Sequence, residues 1–243
     1  MLHAALNGAR HRAEHPSLPV TPAELAAAAV EVIGAGARAI HFHARGPDGG
    51  ESLAADDVAL ALGALRHAVP GTPLGVSTGA RSTPDASRRL GAVEAWAILP
   101  DFASVNFDEA GAVALAQLLR SRGVGVEAGL ANRHAAERLV DSGLGAQCLR
   151  VLLEPDDPEA AGALQTVAQL EAVLDRAGVR SPRLMHGTDQ TAWRLLAEAA
   201  ARGYDTRVGL EDTLTLPDGR PTSGNAALVA EARRRLREAA ARR

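Results

Sequence analysis

Two histidines one residue apart, His41 and His43, stand in the segment AIHFHARGPDGG at 39–50, which then runs into an Arg-Gly-Pro-Asp-Gly-Gly turn. Side chains at i and i+2 of a strand point to one face, so both imidazoles can address the same ion. Near the other end of the chain, RVGLED at 207–212 supplies a partner. Arg207, Gly209 and Glu211 share a parity on an extended strand, and Glu211 offers a carboxylate oxygen. Two histidines, one glutamate and an open fourth position form a known arrangement for catalytic zinc. Such a set also accepts iron, cobalt or manganese. An isolated His-x-His is as readily two satisfied polar residues at a strand end; the turn behind it and the distant carboxylate favour the metal site. Asp212 faces away from Glu211 on a regular strand and reaches the site only if the strand has ended or bulged there.

Positioning these residues requires elements, and the chain alternates short β-like runs with Ala/Leu-rich stretches of helical spacing. Eight strands are expected, at 2–8, 38–44, 73–79, 102–107, 123–129, 147–153, 183–187 and 206–212. Thr21-Pro22-Ala23-Glu24 reads as a capped helix start with a capping-box glutamate. Gly36, Gly71, Gly123, Gly143, Gly178 and Gly203 each precede a strand, where a left-handed glycine ends a helix. Eight βα units without a linker predict a single (β/α)8 TIM barrel over 1–243. An open doubly wound sheet is the alternative, but no Gly-rich phosphate loop follows a strand; GAGAR at 34–38 precedes one.

In such a barrel catalytic groups sit at the C-terminal strand ends. Besides His41 and His43, those ends carry Ser77 and Thr78, Ser104 and Asn106, Glu127, His186, and Arg207 with Glu211 and Asp212. Ser77 lacks a nucleophile-elbow setting, which disfavours a Ser-His-Asp hydrolase. Ser104 and Asn106 suit a helix cap or a substrate contact. Glu127, in a small apolar segment, needs a partner because an unpaired buried carboxylate is costly; a site role and a structural ion pair both satisfy that need. His186 reads as a substrate donor or a satisfied core histidine.

Composition narrows the function classes. With 47% hydrophobic and 23% charged residues the chain is an ordinary globular sequence, and 2% aromatics leave the core to Ala, Leu and Val. Arginine carries all the positive side-chain charge, since lysine is absent, a trait ascribed to coding bias. A net charge of −3 with interleaved signs excludes a nucleic-acid or anionic-membrane footprint. The terminal EARRRLREAAARR is interrupted by Glu231 and Glu238 and reads as a solvated helix face. A single cysteine, Cys148, fits a reducing cytoplasm, where the absence of a signal-peptide layout and of an apolar run of about 20 residues also places the protein.

The segments LNGAR (6–10), HPSLPVTPAEL (15–25), AGARAIHFHARGPDGGES (35–52), VSTGA (76–80), ASVN (103–106), RVGLEDTL (207–214) and SGNAALVAEARRRL (223–236) resemble, in order and spacing, the β-keto acid cleavage enzymes. The resemblance implies a zinc-dependent barrel, usually a homo-oligomer and a tetramer by likeness, that converts a β-keto acid plus acetyl-CoA into acetoacetate plus a new acyl-CoA. It implies that His41, His43 and Glu211 hold the metal. Asp212 would transfer a proton with Arg207 beside it, Ser77 would contact the substrate carboxylate, and Ser104 would take the place of a threonine hydroxyl. Arg10 departs from the pattern, standing where the family member that acts on an amino-bearing keto acid has a glutamate. A guanidinium there favours an acidic or neutral keto acid. The competing readings are a metal-dependent hydrolase on the same fold and a noncatalytic metal-binding barrel. Amidohydrolases carry His-x-His on strand one, whereas here it is on strand two and strands five and six offer no histidine; Arg207 and Asp212 argue against a scaffold.

Overall fold

Short runs of buried Val, Leu, Ile and Ala form the strands, and amphipathic Ala/Leu segments cover them. A computed structural model describes residues 1–241; Arg242 and Arg243, the end of the basic run, lie outside the described residues. The strands are β1 (Leu2–Ala5), β2 (Ala39–Phe42), β3 (Leu74–Ser77), β4 (Phe102–Asn106), β5 (Gly125–Leu130), β6 (Arg150–Leu153), β7 (Arg183–Met185) and β8 (Asp205–Val208). They close in sequence order into a parallel barrel, with β1 paired to β2 (Ala4 opposite Ile40) and to β8 (His3 opposite Arg207). The helices α1 (Pro22–Ala35), α2 (Ala55–Ala68), α3 (Ala86–Glu94), α4 (Ala112–Ser121), α5 (Arg133–Asp141), α6 (Ala160–Arg176), α7 (Ala192–Arg202) and α8 (Asn225–Ala241) alternate with them. This is the (β/α)8 barrel that the alternation predicts.

Local signals act as expected. Thr21 caps α1 by accepting from the Glu24 N–H at 3.3 Å, and the Glu24 carboxylate accepts from the Thr21 N–H at 2.9 Å. The helix then packs Leu25, Ala29 and Val32 inward. All six helix-ending glycines have positive φ; at Gly203 (74°) the N–H reaches back to the Ala199 carbonyl and turns the chain into β8. No helix among the described residues is long and apolar enough to cross a membrane.

Two strands differ from expectation in ways that matter for the site. β8 ends at Val208, before Gly209. A Cβ at Gly209 would overlap the Ala5 carbonyl oxygen. Closely apposed to β1 there, the chain leaves the ladder in a helical turn, with the Asp212 and Thr213 N–H groups donating to the Gly209 carbonyl at 2.9 and 3.0 Å. β5 runs on to Leu130, so Glu127 lies in its middle and not at its end.

Candidate metal centre and active site

The turn after β8 resolves the parity problem of Glu211 and Asp212. Both leave a helical turn instead of a strand, so consecutive residues can serve one site. Asn225, at the start of α8, holds this turn: its side-chain carbonyl accepts the Leu210 N–H at 2.8 Å and its amide donates to the Leu6 carbonyl at 2.8 Å. Gly8 leaves the space that Glu211 fills, since a Cβ there would overlap the Glu211 side chain.

His41 comes from β2, and His43 lies one residue beyond it, fixed through its backbone by Asn7. The Asn7 side chain accepts the His43 N–H at 2.9 Å and donates to the His43 carbonyl at 3.0 Å. The Gly-Pro-Asp-Gly-Gly turn then brings the chain straight back, with the Gly46 N–H on the Gly50 carbonyl and the Ser52 N–H on the Ala44 carbonyl, both at 2.9 Å. What it delivers is Glu51, whose carboxylate pairs with Nδ1 of His43. That contact orients the ring and leaves Nε2 for a metal, the usual carboxylate–histidine–metal arrangement.

His41, His43 and Glu211 place one ligand atom each within 4.8 Å of one another. The Nε2 of His41 is 3.6 Å from Oε2 of Glu211, and the Nε2 of His43 is 3.5 Å from Oε1. Atoms held at zinc bond lengths around a tetrahedral ion lie roughly 3.3–3.4 Å apart. Glu211 Oε2 is buried without a hydrogen-bond partner, and a cation would satisfy it. The residues present therefore fit a divalent ion. Glu51→Gln is expected to weaken zinc affinity about 10- to 100-fold, measured by competition with a chelating dye, because it removes the outer-sphere carboxylate.

Protonation supports the same assignment. Burial holds His41 down to about 3, so it is neutral. Burial also disfavours charge on His43, but Glu211 and Glu51 outweigh it and hold the ring up to about 9. A ligand must be neutral, so His43 gives up a proton on binding metal. Zinc affinity is expected to rise about tenfold per pH unit up to about 9 and to level off above it. Calorimetry in buffers of different ionisation enthalpy should find one proton released from this ring at pH 7.

Behind the ligands, Arg207 is the hub. Its Nη2 donates to Glu211 Oε1 at 2.7 Å and to Asp212 Oδ1 at 2.8 Å. The two carboxylates on this one guanidinium are driven apart. Burial raises Asp212, and the Glu211 charge adds to the effect against Arg207 and His186. Burial opposes ionisation of Glu211, but Arg207, His41 and His43 overcome it and keep the carboxylate charged. The neighbouring groups thus differ in proton affinity: Glu211 is held as an anion, and Asp212 is the more readily protonated of the two. Asp212 is 0% exposed and lies behind the wall formed by Arg207 and His186; the Nδ1 of His186 is 3.6 Å from its Oδ1.

A cavity of about 550 Å³ at the C-terminal end of the barrel is walled by His41, His43, Glu211 and Arg207. Ser77, Ser104 and Asn106 also line it, as does Arg10. Arg10, however, is engaged: Nε donates to the Glu211 carbonyl at 3.2 Å, Nη1 to Glu14 at 3.2 Å, and Nη2 pairs with Asp189. Asp189 is the one described non-glycine residue with positive φ, and its N–H donates to the Asp212 carbonyl at 2.6 Å. Arg10 and Asp189 thus grip both carbonyls of the Glu211–Asp212 pair.

Glu127 is absent from the cavity wall. It is buried in the barrel interior with Oε1 3.1 Å from Arg150 Nε and 3.9 Å from His3 Nδ1, and Arg150 also reaches Asp205 at 3.3 Å. Of the two readings open for it, a site role such as a substrate contact and a structural ion pair, its position matches the ion pair, because mid-strand placement puts its side chain beneath the mouth. Of the wall residues that escaped the sequence reading, two stand directly beside His186 and His43. Glu154, one residue past β6, sits 3.0 Å from His186 Nε2, and burial pushes it up to about 7. Glu51 is the other. Both follow elements already recognised, β6 and the glycine turn, so testing one residue beyond each boundary would have found them.

The model of the beta-keto acid cleavage enzyme family matches residues 1–242. The chain belongs to this family. Among solved structures, a ternary complex of ObcA with a C4-CoA adduct and oxalate is similar at TM-score 0.73 and 20% identity, over 92% of this chain and 64% of that one. A binary complex of ObcA with oxaloacetate gives 0.72 and 20%, over 90% and 63%. The N-acetylmannosamine-6-phosphate 2-epimerase from Clostridium perfringens gives 0.59 and 12%, over 87% of both chains. This β-keto acid cleavage enzyme family member thus spans just under two thirds of the ObcA chains, and all three likenesses are likenesses of fold.

Proposed function

We propose that the chain is a zinc-dependent acyltransferase that exchanges a β-keto acid and acetyl-CoA for acetoacetate and a new acyl-CoA. The observation that carries this reading is the pair of adjacent carboxylates on Arg207, one held as an anion among two histidines and the other primed to take a proton. A divalent ion held by His41, His43 and Glu211 would supply Lewis-acid polarisation of the keto oxygen.

The chain's own residues account for the rest. Ser77, Ser104 and Asn106 bind and orient the substrate carboxylate from the β3 and β4 ends. The C2 proton crosses the wall at His186 and comes to Asp212. The C2 carbanion forms a bond to the acetyl carbonyl carbon and CoA leaves as thiolate. That thiolate adds to the original keto carbon, the C2–C3 bond breaks, and C2 of the resulting acetoacetate takes its proton back from Asp212. Arg207 keeps both carboxylates in place throughout.

An assay of acetoacetate formation over a panel of β-keto acids, with and without acetyl-CoA, tests the reading. Turnover that depends on acetyl-CoA supports it. Cleavage indifferent to acetyl-CoA would move the assignment to a hydrolase, and no turnover with metal bound would move it to a noncatalytic barrel. Acidic or neutral keto acids are expected ahead of amino-bearing ones.

A further inference from the structure

Three arginines line the mouth cavity, Arg10, Arg81 and Arg207. Arg207 serves the two catalytic carboxylates, and Arg10 serves Glu14, Asp189 and the Glu211 carbonyl. Arg81 is exposed and makes no side-chain hydrogen bond or ion pair among the described residues. Its charge is nevertheless felt by Glu51, the partner of His43.

The backbone that carries Arg81 is built, even though its side chain is free. Both Glu109 oxygens accept the Ala80 N–H at 2.9 Å, Glu109 also accepts from the Asn106 amide at 2.9 Å, and buried Arg89 stands 3.6 Å behind it. Ser82 Oγ donates to the Gly79 carbonyl at 2.9 Å. A cation with no internal partner, carried on a fixed backbone in the cavity wall, is left to pair with an anion from outside. The cavity's other rim is acidic: Asp108 and Asp156 line it, and burial together with Glu154 and Asp108 holds Asp156 above its ordinary range. With Arg10 and Arg207 engaged, an anionic group reaching past Ser104 and Asn106 meets Asp108 and Asp156 on one side and finds its one unpaired cation in Arg81, on the loop after β3.

We propose that Arg81 reads a second carboxylate, at the far end of the keto acid, so that the preferred substrate is a β-keto dicarboxylate. This rests on the cleavage-enzyme reading above and names its substrate class. Arg81 supplies a planar two-donor fork for that carboxylate, while Ser77, Ser104 and Asn106 take the carboxylate next to C2.

The test compares zinc-loaded wild type, Arg81→Gln and Arg81→Lys on two β-keto acids of equal length, one ending in a carboxylate and the other in its methyl ester. In Arg81→Gln the ratio of kcat/KM for diacid over ester should fall about 10- to 100-fold, through KM for the diacid, with Arg81→Lys in between. An unchanged ratio, or wild type preferring the ester or an amino-bearing acid, overturns the proposal. If Arg81→Gln instead raises KM for acetyl-CoA, and the effect vanishes with a thioester lacking the phosphates, the anion is a phosphate of CoA and the proposal also fails. Should no β-keto acid be turned over, the function above fails on its own. Calorimetry of a saturated dicarboxylate then still decides Arg81: weaker binding to Arg81→Gln upholds the subsite, and equal binding removes it.

Discussion

Replacing Asp212 by asparagine is expected to lower kcat about 10²- to 10⁴-fold while the metal stays bound, the range associated with loss of a general acid or base. The substitution is isosteric, and the carbonyl oxygen of the new side-chain amide can still accept from Arg207, so the turn after β8 keeps its shape. What disappears is the capacity to take a proton. Loss of charge leaves Arg207 with Glu211 alone, so a drop in melting temperature should accompany the change; metal content per chain separates that from loss of the site. The sharpest measurement is exchange of the C2 hydrogens of a β-keto acid with deuterated water in the absence of acetyl-CoA. Exchange should be abolished in the variant. Persistent exchange would remove Asp212 from the proton step.

Glu211→Ala is expected to act differently, abolishing metal retention and turnover together. One of three protein ligands and the only anionic one is lost, so zinc affinity should fall by more than about 10³-fold. The barrel should survive, since Arg207 keeps its 2.8 Å contact with Asp212 and the turn is held by Asn225 through backbone groups. Metal analysis after dialysis and far-UV circular dichroism together make the distinction. A folded variant that still carried stoichiometric zinc would refute the assignment of Glu211.

Much of this was legible in the residues because it depends on local rules. The capping box at Thr21 and Glu24 and the glycines before strands mark βα units in sequence order. The His-x-His spacing is a property of any strand. What was not legible depends on where a strand stops. Nothing local shows that β8 ends at Val208; the cause is Gly209 pressed against the Ala5 carbonyl, a contact between opposite ends of the chain. The placement of Glu127 failed for the same reason, since its depth is set by how far β5 runs and by Arg150 from β6. Glu51 needed the glycine turn to be seen as a hairpin, and Arg10 needed its partners Glu14 and Asp189 to be seen before its charge could be discounted.

The turn at Gly209–Thr213 carries one more implication. Because Glu211 and Asp212 are consecutive residues on a single turn, their separation is set by that turn, by Asn225 and by the Arg10 and Asp189 contacts to its carbonyls. Arg81 makes no hydrogen bond or ion pair with that turn among the described residues, so the loop after β3 can lengthen, shorten or change charge without displacing one carboxylate from the other. The proposed proton-transfer pair and the proposed selectivity residue thus reside on separable pieces of the chain, and exchange of the loop after β3 alone is expected to change the preferred acid while leaving that pair in place.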